Sequence, residues 1–172
     1  MNIAQDTILI TGGGSGIGRA FAEAVHARGA KVIIAGRREA ALAEVAAANP
    51  GIVYEVLDVS DAADITAFAE RVTAAHPDLN AVIHNAGIMK VEDVSAGAFD
   101  LGVVEDTIAT NLLGPIRLTA ALLPHLLTKP SASIVTVSSG LAFVPLAATP
   151  TYSATKAAIH SWSQSLRHQL KD

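Results

Sequence analysis

The sequence predicts an α/β fold built on a doubly wound parallel sheet. Three observations carry that reading. Strand-like and helix-like segments alternate along the chain. The strand-like segments are continuous apolar runs, the pattern of strands buried on both faces. Between the first such run and the first helical stretch lies Gly12-Gly13-Gly14-Ser15-Gly16-Ile17-Gly18. A strand, a glycine-rich turn and a helix form a unit that can cradle a dinucleotide's phosphates.

The elements follow in order. Asp6 to Thr11 reads DTILIT, a short strand rich in β-branched residues, and Arg19 to Arg28 is the helix after the turn. Lys31 to Ala35 is an apolar strand. Arg38 to Ala48 is an Ala-rich helix that stops at Asn49-Pro50-Gly51. Ile52 to Val59 is the third strand. Ser60 can cap a helix that runs to about His76, where Pro77 ends it. Asn80 to His84 is a fourth strand. A long helical region runs from about Asp100 to Leu127, interrupted at Gly114-Pro115. Ser133 to Val137 is the fifth strand, and the last helix runs from about Tyr152 to Leu170. With right-handed crossovers the expected strand order is 3-2-1-4-5. There are no repeats, linkers or low-complexity tracts, so residues 1–172 are expected to form one domain.

Composition excludes several functions. The net charge is −4 with no run of Lys and Arg, which argues against nucleic-acid binding. There are no cysteines, so disulfide scaffolds, thiol nucleophiles and zinc–thiolate sites are out. The six histidines form neither H-x-x-x-H nor H-E-x-x-H. No basic start followed by an apolar stretch marks a signal peptide. No apolar run approaches the ~20 residues of a membrane span. A cytoplasmic protein is expected.

The glycine loop is close to a nucleotide triphosphatase loop, since Gly13 and Gly18 fit. Arg19 and Ala20 replace its Lys and Ser/Thr, and the Mg²⁺-ligating hydroxyl is lost. A serine-hydrolase elbow fails as well, because Gly16-Ile17 follows Ser15. A different chemistry is legible at Tyr152-Ser153-Ala154-Thr155-Lys156. A Tyr and a Lys four apart on a helix share one face. A free phenol has a pKa near ~10. A neighbouring cation favours phenolate, which is what a general acid–base at neutral pH needs.

Taken together, Thr11 to Gly18 (T-G-x-x-x-G-I-G), Asn85-Ala86-Gly87, Asn111, Val137-Ser138-Ser139 and the Tyr152/Lys156 pair resemble the short-chain dehydrogenases/reductases (SDR). The opening residues and VIIAGRRE look most like the branch called DltE-like oxidoreductases. The resemblance covers the whole chain. It implies a Rossmann fold, a nicotinamide cofactor and a small alcohol or carbonyl substrate. Ser139 lies thirteen residues before Tyr152, the family separation, which singles it out over Ser138. Tyr152 is then the acid–base, and Lys156 lowers its pKa and bonds the nicotinamide ribose. Ser139 orients the substrate oxygen, and Asn111 holds a water linking Lys156 to solvent. Each also has a plainer role open to it: Ser139 a loop cap, Asn111 a kink residue, Lys156 a solvated charge. Gly12, Gly14, Ser15, Gly16, Ile17 and Gly18 form the cofactor's phosphate loop. Asn85, Ala86 and Gly87 touch its adenosine ribose. Asp58 and Val59 contact adenine, with Asp58 equally suited to capping the next helix. His84 stands where the family commonly has an Asn, a departure expected to leave the turn intact.

NADP(H) is expected over NAD(H), although NAD remains possible. The end of strand two has Gly36 where an acidic residue would select NAD, and Arg37-Arg38 follow. A guanidinium matches a phosphate in a bidentate way; the alternative is that both are solvated helix-start charges. Family members continue past the Tyr/Lys helix with further strands and a substrate-covering segment, so the chain is expected to be C-terminally incomplete. The competing function is therefore a catalytically incompetent nucleotide-binding fragment or binding module. A homodimer or homotetramer through helices 100–127 and 152–170 is expected. Strand five is expected to be an edge prone to pairing.

Overall fold

A computed structural model describes residues 2–96 and 100–171. Five parallel strands form one sheet: β1 (Thr7–Thr11), β2 (Lys31–Gly36), β3 (Ile52–Val56), β4 (Leu79–His84) and β5 (Ser133–Thr136). Their spatial order is β3-β2-β1-β4-β5, as expected. Among the described residues six α-helices accompany them: α1 (Gly16–His26), α2 (Glu39–Ala48), α3 (Ala62–Ala75), α4 (Leu101–Ile108), α5 (Gly114–Leu126) and α6 (Pro150–Gln169).

Alternation along the central strand divides the core in two. Leu9 faces one layer, where Ile33, Val82, Phe68, Val72, Leu118 and Leu122 pack. Ile8 and Ile10 face the other, with Ile34, Ala22, Val25, Leu42 and Val45. α3 and α5 thus cover one face, and α1 and α2 the other. All five residues of β1 are buried, which is why its polar content is confined to Thr7 and Thr11 at its ends. The order in which strands join the sheet reverses between β1 and β4, the position where open α/β sheets place their ligands.

α1 runs from Gly16 to His26 rather than from Arg19 to Arg28, most other elements shift by a residue at one end, and four further differences from the expectation have a local cause. β3 ends at Val56, not Val59, because Leu57 N bonds Gly36 O and the chain then turns at Asp58. Asp61, not Ser60, caps α3, its carboxylate accepting from Ala63 N and Asp64 N. α6 begins at Pro150, whose fixed φ suits the first turn and whose missing N–H costs nothing there. Gly114-Pro115 does not interrupt the long helix. The chain passes from α4 to α5 through a wider π turn, Ala109–Leu113, and Pro115 sits in the first turn after it.

His84 closes β4 and is fully buried, with Nε2 2.8 Å from Thr119 Oγ1. Burial pushes its pKa down from 6.5 to about 4. Between those values the unfolded chain binds the proton and the folded chain does not. The stability this group contributes is fully present above pH 6.5 and is lost as pH falls toward 4, a span on the order of 3 kcal/mol. Urea midpoints measured from pH 7 to pH 4 should fall steeply for the wild type and less steeply for His84→Asn. Equal slopes in the two proteins would refute the assignment.

Candidate active site

The turn after β1 and the turn after β4 are tied together. Asn85 Nδ2 donates to Thr11 O at 3.0 Å, and the amides of Asn85 and Ala86 both donate to Thr11 Oγ1 at 3.1 Å. Gly12 has a φ of 70°, in the left-handed region. At Gly18 a Cβ would lie 2.3 Å from Gly12 O, so only glycine lets α1 approach the turn this closely. Ser15 precedes α1 but its side chain does not cap it. Instead Ser15 Oγ accepts from Arg38 Nη2 at 2.7 Å. The first amides of α1, with the positive end of its dipole, are left free of any side-chain cap. This is the arrangement that binds phosphate.

At the other end stands α6. Lys156 is buried, 5% exposed, and its Nζ donates to Val137 O at 2.8 Å. The ammonium lies 5.7 Å from the centre of the Tyr152 ring. Burial holds the Lys156 pKa below the usual lysine range. Ser138 Oγ donates to Lys156 O at 3.1 Å and fixes the helix against the end of β5. Ser139 Oγ accepts from Leu141 N at 3.1 Å, capping the short 3₁₀ turn Gly140–Ala142. Asn111 lies in the π turn. Its Oδ1 accepts from Ile88 N and its Nδ2 donates to Ile88 O, both at 2.8 Å, with Thr155 Oγ1 3.3 Å away.

One cleft of about 540 Å³ joins the two ends. Gly12, Gly14, Ser15, Ile17, Gly18, Arg37, Arg38, Val59, Asn85, Ala86, Gly87, Ser139, Tyr152 and Lys156 all line it. Gly16, Asp58 and Asn111 do not. Gly16 heads α1 and faces open space. Asn111 lies behind Gly87, its Oδ1 3.3 Å from where a Cβ there would be. Asp58 is folded into its own turn, accepting from Ser60 N at 2.9 Å and Ser60 Oγ at 2.6 Å. Partial burial pushes its carboxyl up, but the Ser60 bonds and the Arg37 guanidinium 3.9 Å away outweigh this and hold its pKa low. Sequence reasoning passed over Leu57, Ile88, Met89 and Thr110, which also line the cleft. Ile88 and Met89 directly follow Asn85-Ala86-Gly87, and that adjacency was a usable signal. Ala41 and Leu42 reach the cleft only because α2 packs beside the glycine turn, which no local pattern announces.

Residues 6–172 match the family model for short chain dehydrogenases. DltE of Bacillus subtilis (strain 168), an uncharacterized oxidoreductase, is 46% identical over all of this chain, which spans 68% of that relative's length. The oxidoreductase EphD of Mycobacterium tuberculosis (strain H37Rv) is 40% identical over 96% of the chain, which spans only 28% of EphD. Among solved structures, a short chain dehydrogenase from Shigella flexneri complexed with NADP superposes with a TM-score of 0.90. It is 30% identical and is covered over 75% of its length by 99% of this chain. Serine dehydrogenase from Escherichia coli gives a TM-score of 0.88 at 28% identity, 96% of this chain covering 76% of it. A family match over nearly the whole chain, with solved short chain dehydrogenases superposing on it, places the protein: it belongs to the short-chain dehydrogenase family.

Proposed function

We propose that this chain is an NADP(H)-dependent oxidoreductase that interconverts an alcohol and a carbonyl, with Tyr152 as general acid–base. The observation that carries the reading is the cleft's polarity. A buried ammonium beside a phenol stands at one end, and an uncapped helix N-terminus beside two guanidiniums stands at the other. The residues present fit a nicotinamide dinucleotide. At Gly12, Gly13 and Gly18 the turn leaves no room for a side chain, and it exposes amides for the pyrophosphate. Val59 and Asn85 to Gly87 line the wall suited to the adenosine half. Arg37 and Arg38 flank the place where an acidic residue would exclude a 2′-phosphate, and the related Shigella protein is complexed with NADP. Bound there, the cofactor supplies or accepts a hydride.

The chain's own groups handle the proton. Tyr152 Oη gives a proton to a carbonyl oxygen being reduced, or takes one from an alcohol being oxidised. Lys156 supplies positive charge beside the ring and one end of a proton path. Ser139 adds a second hydroxyl at the substrate oxygen, beyond its capping role. Asn111 fixes the Ile88 backbone that walls this end of the cleft. Assembly as a homodimer or homotetramer through α4, α5 and α6 belongs to the same reading, as does a cytoplasmic location. Among the described residues no helix is long and apolar enough to cross a membrane.

Tyr152→Phe removes only the hydroxyl. It should lower kcat by about 10²- to 10⁴-fold on any accepted substrate and leave NADP(H) affinity nearly unchanged. Stopped assays beside fluorescence titration of NADPH check both halves. Wild-type kcat in the variant would sink the assignment. Tight NADPH binding with no turnover by the wild type would favour a binding module.

Removing Arg37 or Arg38 should weaken NADP(H) about tenfold or more, the worth of a charge-assisted hydrogen bond, and change NAD(H) affinity little. Titrating both cofactors against Arg37→Ala and Arg38→Ala decides it. NAD(H) binding that equals NADP(H) in the wild type, with both variants unchanged, rules against the preference.

A further inference from the structure

One carboxylate near the cleft is held in a way that the proton chemistry above does not use. Glu92 lies in the segment that follows β4, half-buried. Its Oε1 accepts from Thr151 N at 3.0 Å and its Oε2 accepts from Thr151 Oγ1 at 2.7 Å. Its own amide donates to Ala148 O at 2.9 Å. Three hydrogen bonds thus join residue 92 to the start of α6, across a sequence gap of 59 residues for the side-chain pair. The residue formally placed to cap this helix does not do so. Thr149 makes no side-chain cap bond, and its buried Oγ1 has no partner among the described residues. Pro150 has no N–H to offer. The first free amide of α6 is therefore that of Thr151, and Glu92 takes it with a charge that suits the helix's positive end.

Thr151 immediately precedes Tyr152. The segment carrying Glu92 is also pinned four residues earlier, at Ile88, by both polar atoms of the Asn111 side chain. Met89 lies between the two pins and lines the cleft. The wall beside Tyr152 and the helix bearing Tyr152 are thus held to each other at Glu92.

We propose that Glu92 is a positioning residue, clamping the segment after β4 to the first turn of α6 and so setting the Tyr152 hydroxyl against the bound substrate. The proposal rests on the oxidoreductase reading above. Glu92 touches neither substrate nor cofactor; it acts through Thr151. Misplacement of a reacting group by about 1 Å can cost 10²-fold in rate.

The test compares Glu92→Ala and Glu92→Gln with the wild type. Glu92→Ala should lower kcat roughly ten- to a hundredfold and raise KM for the carbonyl or alcohol, with the NADPH dissociation constant within twofold. Glu92→Gln keeps an oxygen for Thr151 N and an amide that can donate to Thr151 Oγ1. It should recover most of the lost kcat. Amide hydrogen exchange at residues 88–95 and 148–152 should rise in the Ala variant and not in the Gln variant. Unchanged exchange in Glu92→Ala overturns the clamp. Faster exchange with unchanged kcat and KM overturns its role in positioning, and an equal loss of NADPH affinity marks general unfolding of the cleft and overturns it too. A wild type that binds NADPH but turns over no carbonyl or alcohol counts against the oxidoreductase reading, and the clamp is then decided by exchange alone.

Discussion

The end of the cleft at α6 is built around a lysine held where water hardly reaches it. Lys156 is 5% exposed, and desolvation works against its ammonium form. Its one hydrogen bond among the described residues goes to the Val137 carbonyl. That acceptor exists because β5 stops at Thr136, leaving the next carbonyl free of the sheet. Two further contacts hold α6 in place to use it: Ser138 Oγ to Lys156 O, and Thr136 Oγ1 with Ser163 Oγ at 2.7 Å. The end of β5 thus sets the height of α6 along the sheet. The height of α6 in turn sets where Tyr152 meets the cleft.

The π turn at Ala109–Leu113 solves a related problem on the opposite side. A regular α-helix there would commit each backbone amide to the carbonyl four residues back. A π turn is a local widening of that ladder, and such turns gather at functional sites. Here it presents the buried Asn111 side chain toward Ile88 and Thr155. Gly114 makes the turn possible where the chain crosses β3's exit: a Cβ there would lie 2.6 Å from Val59 O. The Gly114-Pro115 pair that reads as a helix break in sequence is therefore a packing contact followed by a proline in a tolerated first-turn position.

That contrast shows what was legible and what was not. The sheet order, the glycine turn and the Tyr152/Lys156 face follow from periodicity, glycine spacing and short motifs, all of them local, while the Asn85–Gly87 turn comes with the family resemblance. Fourteen of the seventeen residues singled out line one cleft. The exceptions are instructive. Asp58 is open in the sequence between contacting adenine and capping the next helix; Ser60 takes its carboxylate, and Asp61 caps that helix instead. Asn111 lies one layer back because its partners are backbone groups 23 residues earlier, a distance no pattern encodes. Glu92 carries no motif, and its link to Thr151 spans 59 residues. Long-range pairing of polar side chains is what a single sequence conceals.

The treatment of helix starts gives the site its logic. α3 and α4 are each closed by an aspartate, Asp61 and Asp100, whose carboxylate accepts two amides of the first turn. α6 is closed from a distance by Glu92. α1, like α2 and α5, has no side-chain cap, and its start faces the cleft: the hydroxyl before it is turned away to Arg38, and its first turn holds no acidic residue. An acidic cap at α1 would repel a phosphate and occupy the amides that bind it. A carboxylate at α6 does neither, since Tyr152 and Lys156, which line the cleft, lie further along that helix. The positive ends of α3, α4 and α6 are each met by a carboxylate, and that of α1, at the cleft, is not.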